Sequence, residues 1–112
     1  MTVPTHLTKI KISPYEWMIK PFKNPKVNNK PVDGYCYARG RIIAYASGLS
    51  SDRERVVVLH ELMHALIHRA GGYKQSWLTR SREEWLVEEV TLSLMSLLKD
   101  NPSFVRWLLN DK

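Results

Sequence analysis

Cysteine is almost absent from this chain: Cys36 stands alone among 112 residues. One thiol cannot form an internal disulfide, so stability rests on a packed core, and a reducing, cytoplasmic setting is expected. Long apolar runs are missing as well. No stretch approaches the roughly 20 residues that a membrane-spanning helix needs. The opening Met1-Thr2-Val3-Pro4-Thr5-His6 lacks the charged-then-apolar plan of a signal peptide. No internal repeat, low-complexity tract or linker interrupts the pattern, which points to one domain over residues 1–112.

Acidic residues are scarce in the first 45 positions. There, Glu16 and Asp33 face eight cations (Lys9, Lys11, Lys20, Lys23, Lys26, Lys30, Arg39, Arg41), so the whole net charge of +6 sits in this part. Such a basic half can meet nucleic acid or an acidic protein partner through residues 9–41. No nucleic-acid-binding motif accompanies it, and a solvated face that keeps the protein soluble accounts for the same charges.

What the chain does contain is His60-Glu61-Leu62-Met63-His64, an H-E-x-x-H run. Positions i and i+4 of a helix share a face, roughly 6 Å apart along the axis. Two imidazoles placed so can converge on one metal ion, and the intervening Glu61 can take a proton from water held there. With the His and Glu content of this chain, the pattern arises by chance in roughly 1% of comparable sequences. The histidines also interrupt an apolar run, Val56-Val57-Val58-Leu59 and Ala65-Leu66-Ile67, where unpartnered polar rings are costly. The chemistry this serves is zinc-assisted hydrolysis, most often of a peptide bond.

Along the chain, His6 to Ile12 suggests a short strand, Tyr15 to Phe22 is ambiguous between strand and helical turn, and Lys23 to Gly34 reads as a loop. Tyr35 to Ala38 and Arg41 to Ala46 flank Arg39-Gly40 as a hairpin. Ser51-Asp52-Arg53-Glu54 resembles a capping box opening a helix from about Asp52 to Ala70, closed by Gly71-Gly72. A second box, Ser81-Arg82-Glu83-Glu84, predicts a helix through Lys99, and Asn101-Pro102 precedes a short one over Phe104 to Leu109. Strands followed by helices argue an α+β fold.

Catalytic zinc usually takes three protein ligands. His68 continues the i+4 series but lies about 12 Å along the axis from His60, too far to share one ion. Cys36 is a conceivable soft ligand, though a small residue buried in a strand is the commoner role. The carboxylates Glu83, Glu84, Glu88 and Glu89 of the second helix are better placed. At 100° per residue, Leu86, Val87, Val90, Leu94, Leu97 and Leu98 form an apolar arc, with Glu84 at its border and Glu83 inside it. Glu84 is the expected ligand, Glu83, Glu88 and Glu89 are alternatives, and Glu88 can also serve as the acceptor that orients an imidazole.

With these pieces, the chain resembles a gluzincin, the zinc peptidase clan in which a glutamate on a later helix joins the two motif histidines. The run from Leu59-His60-Glu61-Leu62-Met63-His64-Ala65-Leu66 through Glu83-Glu84 to Leu97-Leu98-Lys99-Asp100-Asn101-Pro102 resembles small metallopeptidase-like proteins of phages and prophages. These are distant relatives in style of the ImmA/IrrE-type peptidases that cut repressors. Gly34-Tyr35-Cys36 before a short strand fits the same pattern. The resemblance implies a minimal zincin: a small twisted β-sheet packed on the motif helix and on a following glutamate helix. It also implies one zinc ion on His60, His64 and Glu84, Glu61 as general base, and a protein or peptide substrate in a bacterial cytoplasm. The strand Arg41 to Ala46, read as an edge, is expected to pair with extended substrate, and Tyr73 is the nearest candidate for an oxyanion donor. The competing class is a binding module of the same fold that acts through its basic half without proteolysis.

Overall fold

Period-two burial along Tyr15–Phe22 settles the segment whose sequence was ambiguous: Trp17 and Ile19 are buried, Met18 between them is only partly so, and Glu16 and Lys20 on either side are exposed. It is an eight-residue strand. The computed structural model describes residues 7–110. In chain order the elements are β1 (Lys9–Ile12), β2 (Tyr15–Phe22), β3 (Lys26–Val27), β4 (Lys30–Pro31), β5 (Gly34–Tyr37), β6 (Ile42–Ala46), α1 (Ser51–Arg69), a 3₁₀ turn (Gly72–Lys74), α2 (Arg80–Asp100) and α3 (Pro102–Leu109). The fold is α+β, as the order of strands and helices implies.

The main sheet runs β1-β2-β6-β5, with β2 and β6 parallel and the other pairs antiparallel. The expected hairpin of β5 and β6 is present, Gly34 opposite Tyr45 and Tyr37 opposite Ile42. Its second strand is not at an edge. Met18 to Phe22 of β2 pair with Ile42 to Ala46, so β6 is enclosed and the free edge beside the helices belongs to β5. The expectation of substrate pairing along Arg41 to Ala46 is therefore overturned by a parallel pairing between segments far apart in sequence. The anticipated loop over residues 23–34 holds a small hairpin, β3 with β4. Its two-residue turn, Asn28-Asn29, lies at φ 52° and 64°, the left-handed values of a type I′ turn that asparagine tolerates.

α1 packs across β5 and β6 and against α2. Ile12, Trp17, Ile19, Ile43, Tyr45, Val57 and Ala65 form the core between sheet and helix. Both helix starts differ from the sequence reading. Ser50, not Ser51, caps α1 by accepting from the Arg53 amide, and Glu54 is buried rather than reaching back. Thr79 caps α2 by accepting from the Arg82 amide, which puts Ser81 and Glu84 inside the helix and frees Glu84 from any capping duty. Where hydroxyls lie close together in sequence, any of them can cap, and tertiary packing chooses.

Of the apolar arc of α2, Val87 alone is fully buried. Val87 and Thr91 are buried, while Leu86, Val90, Leu97 and Leu98 are exposed. Glu84 stands one turn before the buried Val87 and Thr91 at helical spacing, which turns its half-exposed carboxylate toward α1. Among the described residues, no helix is long and apolar enough to cross a membrane.

Candidate metal centre

One turn of α1 separates His60 from His64, and their ring centroids stand 5.1 Å apart with both side chains mostly buried. α2 brings Glu84 between them. Its Oε1 lies 2.8 Å from Nε2 of His60 and its Oε2 lies 3.0 Å from Nε2 of His64, so one carboxylate spans both imidazoles. Among the described residues, His60, His64 and Glu84 are the one group of potential ligand atoms that converge, all within 4.8 Å. Cys36 and His68 are outside it.

Glu83 takes the other side of His64, its Oε2 at 2.5 Å from Nδ1. If Nδ1–H donates to Glu83, Nε2 carries a lone pair that faces the Glu84 carboxylate. Two lone pairs 3.0 Å apart repel unless a second proton or a cation lies between them. The spacing suits a cation, since ligand atoms 2.0–2.2 Å from a tetrahedral ion stand roughly 3.3 Å from each other. The donor set therefore fits a metal ion. The sequence offered Glu88 as an acceptor for an imidazole N–H; in the structure it is Glu83 that meets Nδ1 of His64, because the turn that aims Glu84 at Nε2 also aims its neighbour at Nδ1.

Glu61 is 8% exposed. Burial, with the charge of Glu84 adding and that of His64 opposing, raises its pKa to about 7. It sits against Gly34 on the edge strand. A Cβ on Gly34 would fall 2.6 Å from Val57 Cγ1 and 3.3 Å from Glu61 Cγ, so the close approach of α1 to β5 requires a residue without a side chain. Cys36 has its thiol pushed up to about 12, first by burial and then by the charges of Glu61 and Glu83.

An open cleft of about 410 Å³ extends from His60 between α1 and α2. Glu61, Glu84, Glu88 and Thr91 line it, and Asp33 and Arg53 add a salt bridge of 2.9 Å. No sequence signal pointed to that pair. Tyr73, the anticipated oxyanion donor, instead stacks on His68 with ring centroids 4.5 Å apart and lines a separate cleft.

Against protein families, residues 21–90, well over half of the chain, match the model of the Peptidase_M78 family, described as an IrrE N-terminal-like domain. The chain belongs to this IrrE N-terminal-like family. No curated protein and no solved structure matches it. The match spans β5, β6, all of α1 and the first half of α2, and so contains every residue of the converging site. Membership agrees with the zincin-like arrangement of a small sheet, the motif helix and the glutamate helix, and with a peptidase-type domain able to hold a metal ion.

Proposed function

We propose that this protein is a zinc metalloendopeptidase acting on a protein substrate, with one zinc ion held by His60, His64 and Glu84. The observation that carries the reading is the single Glu84 carboxylate bridging both Nε2 atoms at 2.8 and 3.0 Å, with Glu61 buried beside them. When bound, such an ion supplies Lewis acidity toward a scissile carbonyl and a water acidified to a pKa of about 7.

The remaining steps belong to the chain's own side chains. Glu61 accepts the proton of the attacking water on its carboxylate, keeps it within the largely dry interface of α1 and β5, and delivers it to the leaving amine. Glu83 holds Nδ1–H of His64 and thereby fixes the ring and its tautomer. β5, the free edge of the sheet beside the cleft, offers its backbone to an extended substrate segment. The open cleft has little wall, which suits a protein recognised over a broad surface rather than a small molecule. A cytoplasmic location accords with the lone thiol.

The test is metal content alongside hydrolysis of a fluorogenic peptide library. Wild type should bind about one zinc per chain, and His60→Ala should bind none. Glu61→Gln should keep the zinc and lose hydrolysis by about 10²–10⁴-fold, the usual contribution of a positioned base. A folded wild-type protein that takes up no metal when zinc is supplied would sink the proposal. Activity intact in Glu61→Gln but lost on changing cations in residues 9–41 would favour the binding module.

A further inference from the structure

A second cleft, of about 320 Å³, lies at the carboxyl end of α1 and shares no residue with the one at the metal centre. Arg39, Arg41, Arg69 and His68 line it together with Tyr15 and Tyr73, and no acidic residue does. Among the described residues, none of the three arginines has a carboxylate partner, although other arginines of the chain do: Arg53 pairs with Asp33 and Arg55 with Asp52. Three uncompensated guanidinium groups around one concavity repel each other and call for an anion.

Two of the arginines are also held in place. The guanidinium carbon of Arg41 lies 3.6 Å from the centre of the Tyr15 ring, which leaves its N–H edge free to donate. Arg69 gives its Nε–H to the Ser13 carbonyl at 2.7 Å and has no other partner among the described residues. The backbone of Arg41 adopts φ 55°, a left-handed conformation that glycine or asparagine fills more cheaply. An arginine kept there costs conformational energy, and its cationic head is what distinguishes it from the cheaper residues.

We propose that this cleft binds the phosphate group of a small phosphorylated ligand. Phosphate matches the site better than a carboxylate. At neutral pH a monoester carries nearly two negative charges and three acceptor oxygens, enough for donors arriving from three arginines. The volume is at the small end for ligand pockets, which suits a metabolite-sized molecule. The basic last turn of α1, His68 and Arg69, offsets the negative end of the helix dipole that would otherwise oppose an anion.

Calorimetric titration of the full chain at low ionic strength tests this, with inorganic phosphate and adenosine monophosphate as probes. Saturable binding of both is expected. It should weaken about tenfold or more in Arg39→Ala and in Arg41→Gly, since a charge-assisted hydrogen bond is lost in each. Arg41→Gly suits the positive φ, so its loss of binding cannot be ascribed to misfolding. His60→Ala, which disables the metal centre alone, should bind both probes like wild type, whether or not the protein proves to be a peptidase. The proposal is overturned by absence of saturable binding, by binding that both arginine variants retain, or by binding lost in His60→Ala. Capture of a DNA oligonucleotide without either small probe would also overturn it and assign the face to a nucleic-acid backbone.

Discussion

Glu83 and Glu84, adjacent on α2, hold opposite nitrogens of the same ring: Glu83 Oε2 meets Nδ1 of His64 at 2.5 Å and Glu84 Oε2 meets Nε2 at 3.0 Å. The two carboxylates are therefore not interchangeable. Glu84→Ala should abolish tight zinc binding, whereas Glu83→Ala should weaken it about 10–100-fold, the usual effect of losing the group that orients a ligating histidine. Competition with a chromophoric chelator measures both. Equal losses in the two variants would mean that the roles are shared.

Zinc should stabilise the fold, because an ion that binds only the native state adds to its stability by mass action. At a hundredfold excess over the dissociation constant the gain is about 2.7 kcal/mol. Thermal unfolding with added zinc, and again with a chelator, should show a shift in wild type and none in His60→Ala.

Gly34→Ala should be strongly destabilising for a change of one methyl group. The added Cβ meets Val57 Cγ1 at 2.6 Å and the Ala44 carbonyl oxygen at 2.8 Å, and the latter is backbone that cannot step aside. A cost of about 1–3 kcal/mol is expected from overpacking, visible as a lower urea midpoint. Unchanged stability would show that α1 can lift from β5.

The Cys36 thiol should resist alkylation. Its pKa is raised from 9.0 to about 12, chiefly by burial, so the native protein holds almost no thiolate at neutral pH. Iodoacetamide should label the native protein far more slowly than the urea-unfolded one. The linkage has a definite sign: above pH 9 the unfolded chain releases this proton while the folded chain keeps it, so stability should fall as pH rises from about 9 toward 12. An alkaline urea series that is flat over that window would contradict the shift.

Thr91 is 1% exposed, and its Oγ1 has no hydrogen-bond partner among the described residues. Thr91→Val should accordingly leave stability unchanged or raise it by about 1 kcal/mol, since an unsatisfied buried hydroxyl is a penalty. A clear loss in the unfolding midpoint would reveal a partner supplied from the cleft.

Local pattern carried much of this molecule. The helical length of the apolar run around His60 and His64 placed both rings on one face, and the resemblance to gluzincins pointed to Glu84 on the following helix. The division of labour between those two glutamates was not legible, because it depends on how α2 is rotated against α1. The helical wheel also misled in part: of the arc of α2 that it read as the packing face, Leu86, Leu97 and Leu98 are exposed, and the buried positions are Val87 and Thr91. β6 was misplaced at an edge for a related reason. Its hairpin with β5 is written in neighbouring residues, while its parallel pairing with Met18 to Phe22 is a long-range contact with no local signature.

The exposed apolar residues on and beside α2 and α3 have an optical consequence. Of the four tryptophans, Trp17 is in the core, while Trp77, Trp85 and Trp107 are each well over half exposed. Native emission should thus already be red-shifted and dominated by water-facing indoles, and unfolding should move its maximum only slightly. Trp77 and Trp85 line one surface cleft, so intrinsic fluorescence is a sensitive gauge of anything that settles there: a blue shift under native conditions would report contact, and not folding.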